Sequence, residues 1–210
     1  MRIVLETDFE TDQEGMTVPY PPLYDDIRRN HGFVDIRGRP DLASKIQEAS
    51  QSPALTDLLL GLSEPHSPLF TLGCDLGAHE EMSSDVGARC VAGGYVQLMQ
   101  ASHSDRSPED YTTLGYAIAQ VLEDKAQGHN WFMRFVLQLV ALTLDDTSEL
   151  TPSLSIWFDA TAHTPEAAFT SREVLIGSLQ DALTHERIVS FLDEGSDAEE
   201  DKTNNCAAGP

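Results

Sequence analysis

Positive charge is scarce in this chain, and the scarcity excludes a good deal. Lys and Arg number 13 against 35 Asp and Glu, a formal net charge of −22 over 210 residues. A surface of that sign repels nucleic-acid phosphates and anionic lipid, and it attracts basic proteins and cations. Direct nucleic-acid binding and membrane-surface attachment are therefore not expected. Arg28, Arg29, Arg37 and Arg39 form the one concentration of positive charge. They are expected to pair with the protein's own acids.

Cysteine is sparse as well: Cys74, Cys90 and Cys206. An odd, low count without a secretory pattern argues against a disulfide framework. Long apolar runs are missing. The longest, Trp131 to Leu144, is interrupted by Arg134, Gln138 and Thr143, short of the roughly 18 apolar residues that suggest a membrane helix. No apolar leader follows Met1, because Glu6 and Asp8 come at once, and no lipidation signal is present. These absences predict a cytoplasmic protein with no membrane partner. There is also no Gly-rich phosphate loop, no CxxC pair and no HExxH helix, so no cofactor is expected.

What is present predicts an α+β fold: a single domain with an antiparallel sheet of about four or five strands and helices packed mainly on one face. Residues 1–40 read as an extended, Pro-containing arm, with a short strand over Arg2–Leu5. Residues 41–192 read as the domain, and residues 193–210 as a disordered acidic tail. Asp41 after Pro40 is a fair N-cap. Leu42, Ile46 and Ala49, then Leu55, Leu58, Leu59 and Leu62, keep a helical period that Pro53 interrupts. Leu69–Leu76 and Cys90–Met99 read as a wide hairpin, with Gly93-Gly94 marking a bulge or a close approach by a neighbouring helix. Ser107-Pro108-Glu109-Asp110 is a strong helix start, and Gly128 lies past that helix's end. Trp131 to Leu144 fits a helix through Arg134 and Gln138. Its apolar odd positions and aromatic start favour a strand, paired with Leu154–Ala160. A last helix is expected from Pro165 or Ser171 to His185, followed by one apolar element over Ile188–Leu192.

Three groups of residues carry functional readings. Cys74, Asp75 and His79 form the densest reactive cluster and are the candidate metal ligands. Their spacing fits no known ligand pattern, and on a strand Cys74 and His79 would face opposite sides. His31, His66, His103, His129, His163 and His185 read mainly as turn or cap residues. Pro21-Pro22-Leu23-Tyr24 resembles the PPxY ligand of WW domains, which implies a partner-binding role for Pro21, Pro22 and Tyr24. The competing reading packs the arm on the body through Tyr20 and Tyr24. Tail acids Asp193, Glu194, Asp197, Glu199, Glu200 and Asp201 are the other candidate partner-binding residues, or a simple solvating terminus.

The element order is similar to that of small acidic secretion chaperones, and acidic immunity or antitoxin-like proteins fit it equally. The expectation is an acidic protein-binding module, chaperone-like, immunity-like or adaptor, that uses its negative surface on a basic protein. The reading leaves room for a homodimer and leans away from an enzyme. One alternative is a nucleic-acid mimic that blocks a DNA-binding protein, which needs a contiguous band of carboxylates. The other is an enzyme or metal protein in which Cys74, Asp75 and His79, with His103, converge in one pocket.

Overall fold

A computed structural model describes residues 1–8, 17–24, 29–83, 87–101, 107–144 and 149–193. The strands are β1 (Arg2–Asp8), β2 (Thr17–Val18), β3 (Leu23–Tyr24), β4 (Arg29–Asn30), β5 (Leu69–Ser83), β6 (Gly87–Gln100), β7 (Trp131–Leu142) and β8 (Glu149–Ala162). The helices are α1 (Pro40–Ala43), α2 (Pro53–Leu62), α3 (Pro108–Lys125), α4 (Pro165–Leu183) and α5 (Glu186–Asp193), with a 3₁₀ turn at Glu48–Gln51. Together they make one α+β fold around a sheet in the order β1-β7-β8-β6-β5, with β2 also against β7.

The expected antiparallel sheet is present as β7-β8-β6-β5. It is extended into a mixed sheet, because β1 and β2 pair parallel with β7. Most of the chain separates β1 from β7, so the connection is a crossover rather than a hairpin, and only a crossover can deliver a parallel neighbour. The start of the expected arm is thus an edge strand of the sheet.

Alternation along each strand sorts the side chains onto two faces. Val96, Leu98, Met133, Phe135, Leu137, Leu154, Ile156 and Phe158 are buried on the face that carries the helices. Leu55, Leu58, Leu59 and Leu62 of α2, Leu114, Ile118 and Leu122 of α3, and Leu175, Ile176 and Leu179 of α4 complete that core. α5 adds Ile188 and Leu192.

Helix starts follow local chemistry. Ser107 caps α3 in a reciprocal box with Asp110, and Pro108 occupies the first turn. Around Pro53 two helices, or one kinked helix, were expected; the segments are separate, and Pro53 opens the second, with Ser52 accepting from the Leu55 amide as the N-cap of α2. The Glu173 carboxylate on α4 accepts from the Ser52 hydroxyl at 2.8 Å and the Ala54 amide at 3.1 Å, tying the two helices together. Likewise Pro40, not the residue after Asp41, begins α1, and Arg39 holds the N-cap place without a side-chain bond.

The opposite, outer face is covered at one end only. There Val18, Phe70, Leu72, Met99, Val140 and Leu142 form a second buried cluster against Tyr20 and Phe33. Val18 is fixed by its carbonyl, which accepts from the Thr143 amide at 2.7 Å and the Thr143 hydroxyl at 3.0 Å. Arg37 makes a forked pair with Asp35 at 2.8 Å and stacks 5.0 Å above the Phe70 ring, while Arg39 pairs with Asp41. These arginines are held by neighbouring acids. Burial alone would raise the Asp35 carboxyl; the hydrogen bonds and charge of Arg37 outweigh it and leave the group below its usual range. Beyond the cluster lies a buried polar layer. Gln97 donates to the Ser153 hydroxyl at 2.9 Å, and the Ser155 hydroxyl donates to the Gln138 side-chain oxygen at 2.8 Å. Further along this face Arg134 and Trp157 are exposed.

Candidate functional site: an aromatic cleft on the outer sheet face

Register brings one row of side chains together across five strands. Val4 of β1 lies opposite Arg134, Arg134 opposite Trp157, Trp157 opposite Tyr95, and Tyr95 opposite Asp75. Side chains in such cross-strand positions touch directly. The Tyr95 and Trp157 rings are 4.7 Å apart and tilted by 33°. Arg134 stands 5.9 Å from the Trp157 ring centre on its other side and pairs with Glu6 at 3.5 Å. Trp157 remains 43 % exposed.

The row ends in a cleft of about 590 Å³ at the edge of β5, with Tyr95 and Trp157 in its wall. The cleft exists because β5 slips register between Thr71 and Gly73, which bends the strand away from a regular edge. Tyr20 and Phe33 come from the arm and meet edge to face at 6.1 Å. The Tyr20 hydroxyl donates to the Leu72 carbonyl at 3.2 Å and lies over Gly73, where a Cβ would meet it at 2.8 Å. Lys45, Ile46 and Glu48 close the side after α1.

The electrostatics of the cleft are negative. Burial raises the Tyr20 hydroxyl above its ordinary value, and Cys74 and Glu48 add to the rise. Burial also raises Tyr95, with further contributions from Tyr20, Asp75, Cys74 and Glu48. The Cys74 thiol is pushed up to about 12, by burial first and then by Glu48 and Asp75. Each group is harder to ionise chiefly because burial penalises its charged form, with the neighbouring acids adding a smaller effect. Glu48 and Asp75 outnumber Lys45 in the wall, which leaves the border of the cleft net negative.

Burial also sets the reactivity of Cys74. A thiol at about 12 carries roughly a thousandfold less thiolate at neutral pH than one at its ordinary value. Cys74 in the folded protein should therefore alkylate with iodoacetamide about a thousand times more slowly than in urea-unfolded chain. Peptide mapping by mass spectrometry at a series of times measures the ratio. Equal rates in the two states would mean that the thiol is not protected in this way.

The three candidate metal ligands part company. Cys74 lies opposite Val96 and His79 opposite Val91, so the register puts them on opposite sides of the sheet. Cys74 and Asp75 border the cleft, whereas His79 lies by a separate groove of about 170 Å³ beside Cys90 and Phe169. Among the described residues no three His, Cys, Asp or Glu side chains come together as a metal site would require. His103 and the tail acids Glu194, Asp197, Glu199, Glu200 and Asp201 lie outside the described residues, as does Cys206. Asp193 is the last residue of α5.

The PPxY-like segment lies on the surface. Pro21, Pro22, Leu23 and Tyr24 are exposed, Tyr24 by 65 %. Tyr24 rests edge-on against His31 at 5.8 Å rather than on the body. Of the two tyrosines expected to hold the arm down, only Tyr20 does so.

Sequence reasoning placed Tyr95 and Trp157 in strands but did not single them out. Their odd parity beside buried even neighbours was the available signal. Compared with protein-family models, curated proteins and solved structures, the chain matches none. No helix among the described residues is long and apolar enough to cross a membrane.

Proposed function

We propose that this chain is a non-catalytic binding module that holds a basic segment of a partner protein in the outer-face cleft. The carrying observation is Trp157, left 43 % exposed and stacked on Tyr95 at the mouth of an acid-bordered cavity. Trp, Tyr and Arg are the residue types that dominate binding energy at protein interfaces. Asp75 and Glu48 supply the sign that complements Lys and Arg. The net charge of −22 extends that attraction over the approach path.

Two observations support this reading over its rivals. A nucleic-acid mimic needs a continuous carboxylate band, and here Glu6 and Asp75 are separated by Arg134, Trp157 and Tyr95. For the enzyme reading, burial disfavours the Cys74 thiolate, the form a nucleophile requires.

Affinity capture from native lysate at low salt, followed by mass spectrometry, tests the proposal. The captured partner should present a basic segment. Its affinity should fall about tenfold or more between low and physiological salt, as steering by exposed charge requires. Ending the chain at Asp193 should leave association intact, because the cleft rather than the tail holds the partner. Affinity indifferent to salt would overturn the electrostatic reading, and loss of binding on truncation would move the site to the tail.

A further inference from the structure

We propose that the outer edge of β5, from Leu76 to Glu80, binds the partner's basic segment as an added β-strand. This rests on the cleft reading above and gives the partner a conformation and a position.

β5 is the last strand of the sheet, and no described strand pairs with its outer side. The direction of its backbone groups can be read from local bonds. The Leu76 amide donates to its neighbour's carboxylate, Asp75 Oδ1, at 2.8 Å rather than to β6. A Cβ on Gly94 of β6 would collide with the Asp75 carbonyl, so Asp75 points inward. In an antiparallel pair, inward and outward residues alternate. Leu76, Ala78 and Glu80 therefore turn their N–H and C=O groups away from the sheet; the Leu76 amide is already met by Asp75, so Ala78 and Glu80 supply the donors for an added strand. Asp75, Gly77, Ala78, His79 and Glu80 are exposed. This is an open template of the kind that accepts an extended peptide.

Charge selects the occupant. A second copy pairing along the same edge would set two strands carrying Asp75 and Glu80 side by side, so like charge opposes self-association. A strand carrying Lys or Arg is attracted instead. The edge also leads into the cleft at Cys74, where Tyr95, Trp157 and Glu48 can take one anchoring side chain. A strand added here would gain a backbone ladder and a pocket together, the combination that gives edge recognition both affinity and specificity.

The test uses the full chain and a fluorescein-labelled peptide alternating lysine with valine. Its counterparts carry N-methyl groups at alternate residues, or glutamate in place of lysine. Anisotropy at low salt should show the unmodified peptide binding about tenfold or more tighter than the N-methylated one, since each lost backbone bond weakens the ladder. Amide exchange at Ala78 and Glu80 should slow on binding. Ala78→Pro should weaken binding to the same degree while the fold persists, because proline there removes only an outward N–H. The N-methylated peptide decides the matter even if that variant does not fold. Equal, salt-sensitive binding of both peptides, reduced by Trp157→Ala, would overturn the added strand and leave the cleft reading standing. Binding that depends on N-methylation but not on Trp157 would support the edge and overturn the cleft. Failure of every peptide at low salt would overturn both, and a dimer broken by Ala78→Pro would replace the basic strand with a second copy.

Discussion

Gly94→Val should destabilise the fold by about 3 kcal/mol. Gly94 lies between Leu76 of β5 and Phe158 of β8 in the register. A Cβ built there collides with the Asp75 carbonyl and stands 2.9 Å from the Leu76 side chain. The first obstacle is backbone, so no rotamer change relieves it, and β5 must move off β6. Valine adds two further carbons to a position with no room for one. Gly77 is the control. It sits diagonally across on β5, opposite Gly93, and a Cβ there would meet nothing within 4 Å. Gly77→Ala should change stability by less than about 1 kcal/mol, helped by the lower entropy of the unfolded chain. Equilibrium urea unfolding of the two variants gives the difference, provided the slope is unchanged. A Gly94→Val protein as stable as the parent would mean that the close approach of β5 to β6 is wrong.

The same pair shows what a sequence can and cannot display. Gly93-Gly94 inside an apolar run predicted a bulge or a close approach by a neighbouring helix. The neighbours that come close are strands instead: the Asp75 carbonyl of β5 at Gly94, and Phe158 and Asp159 of β8 at Gly93, which no pattern within β6 encodes. The α3 helix was fully legible, because Ser107, Pro108, Glu109 and Asp110 state a helix start in local chemistry. β7 was legible because odd positions from Trp131 to Leu137 are buried against the helices. β5 was predicted to end near Leu76 and runs on to Ser83. Gly77, Ala78, His79 and Glu80 carry no apolar signal, since their strand geometry comes from pairing with β6 rather than from burying a face. The parallel seat of β1 was illegible for a related reason: a period of two reports which face is buried, never which strand is adjacent. The site was hidden by the same rule. Arg134, Trp157, Tyr95 and Asp75 are far apart in the chain, and only the register across β7, β8, β6 and β5 sets them in a row.

Trp157→Ala should weaken partner binding about thirtyfold, the roughly 2 kcal/mol that marks a dominant interface residue, while stability changes little. The two expectations follow from one geometry. Trp157 faces away from the helices, where its neighbours Ile156 and Phe158 bury themselves. It keeps 43 % of its surface in water, so truncating it opens no sealed cavity. Its loss removes a ring that stacks on Tyr95 and supports Arg134, which would leave the cleft mouth flat and wet. Trp157→Phe keeps a ring against Tyr95 and should recover much of the affinity. Asp75→Asn gives an independent readout, since it keeps shape and removes one charge beside the cleft. It should slow association and flatten the salt dependence with a smaller loss of affinity, because rim charges act mainly on encounter. Surface plasmon resonance with the captured partner separates these effects into association and dissociation rates. If Trp157→Ala binds as the parent does, the aromatic row is a structural ornament of the sheet and the partner must be held elsewhere. If Trp157→Ala instead unfolds the protein, the exposed ring is supporting the sheet, and Trp157→Phe then becomes the variant that decides whether the cleft binds.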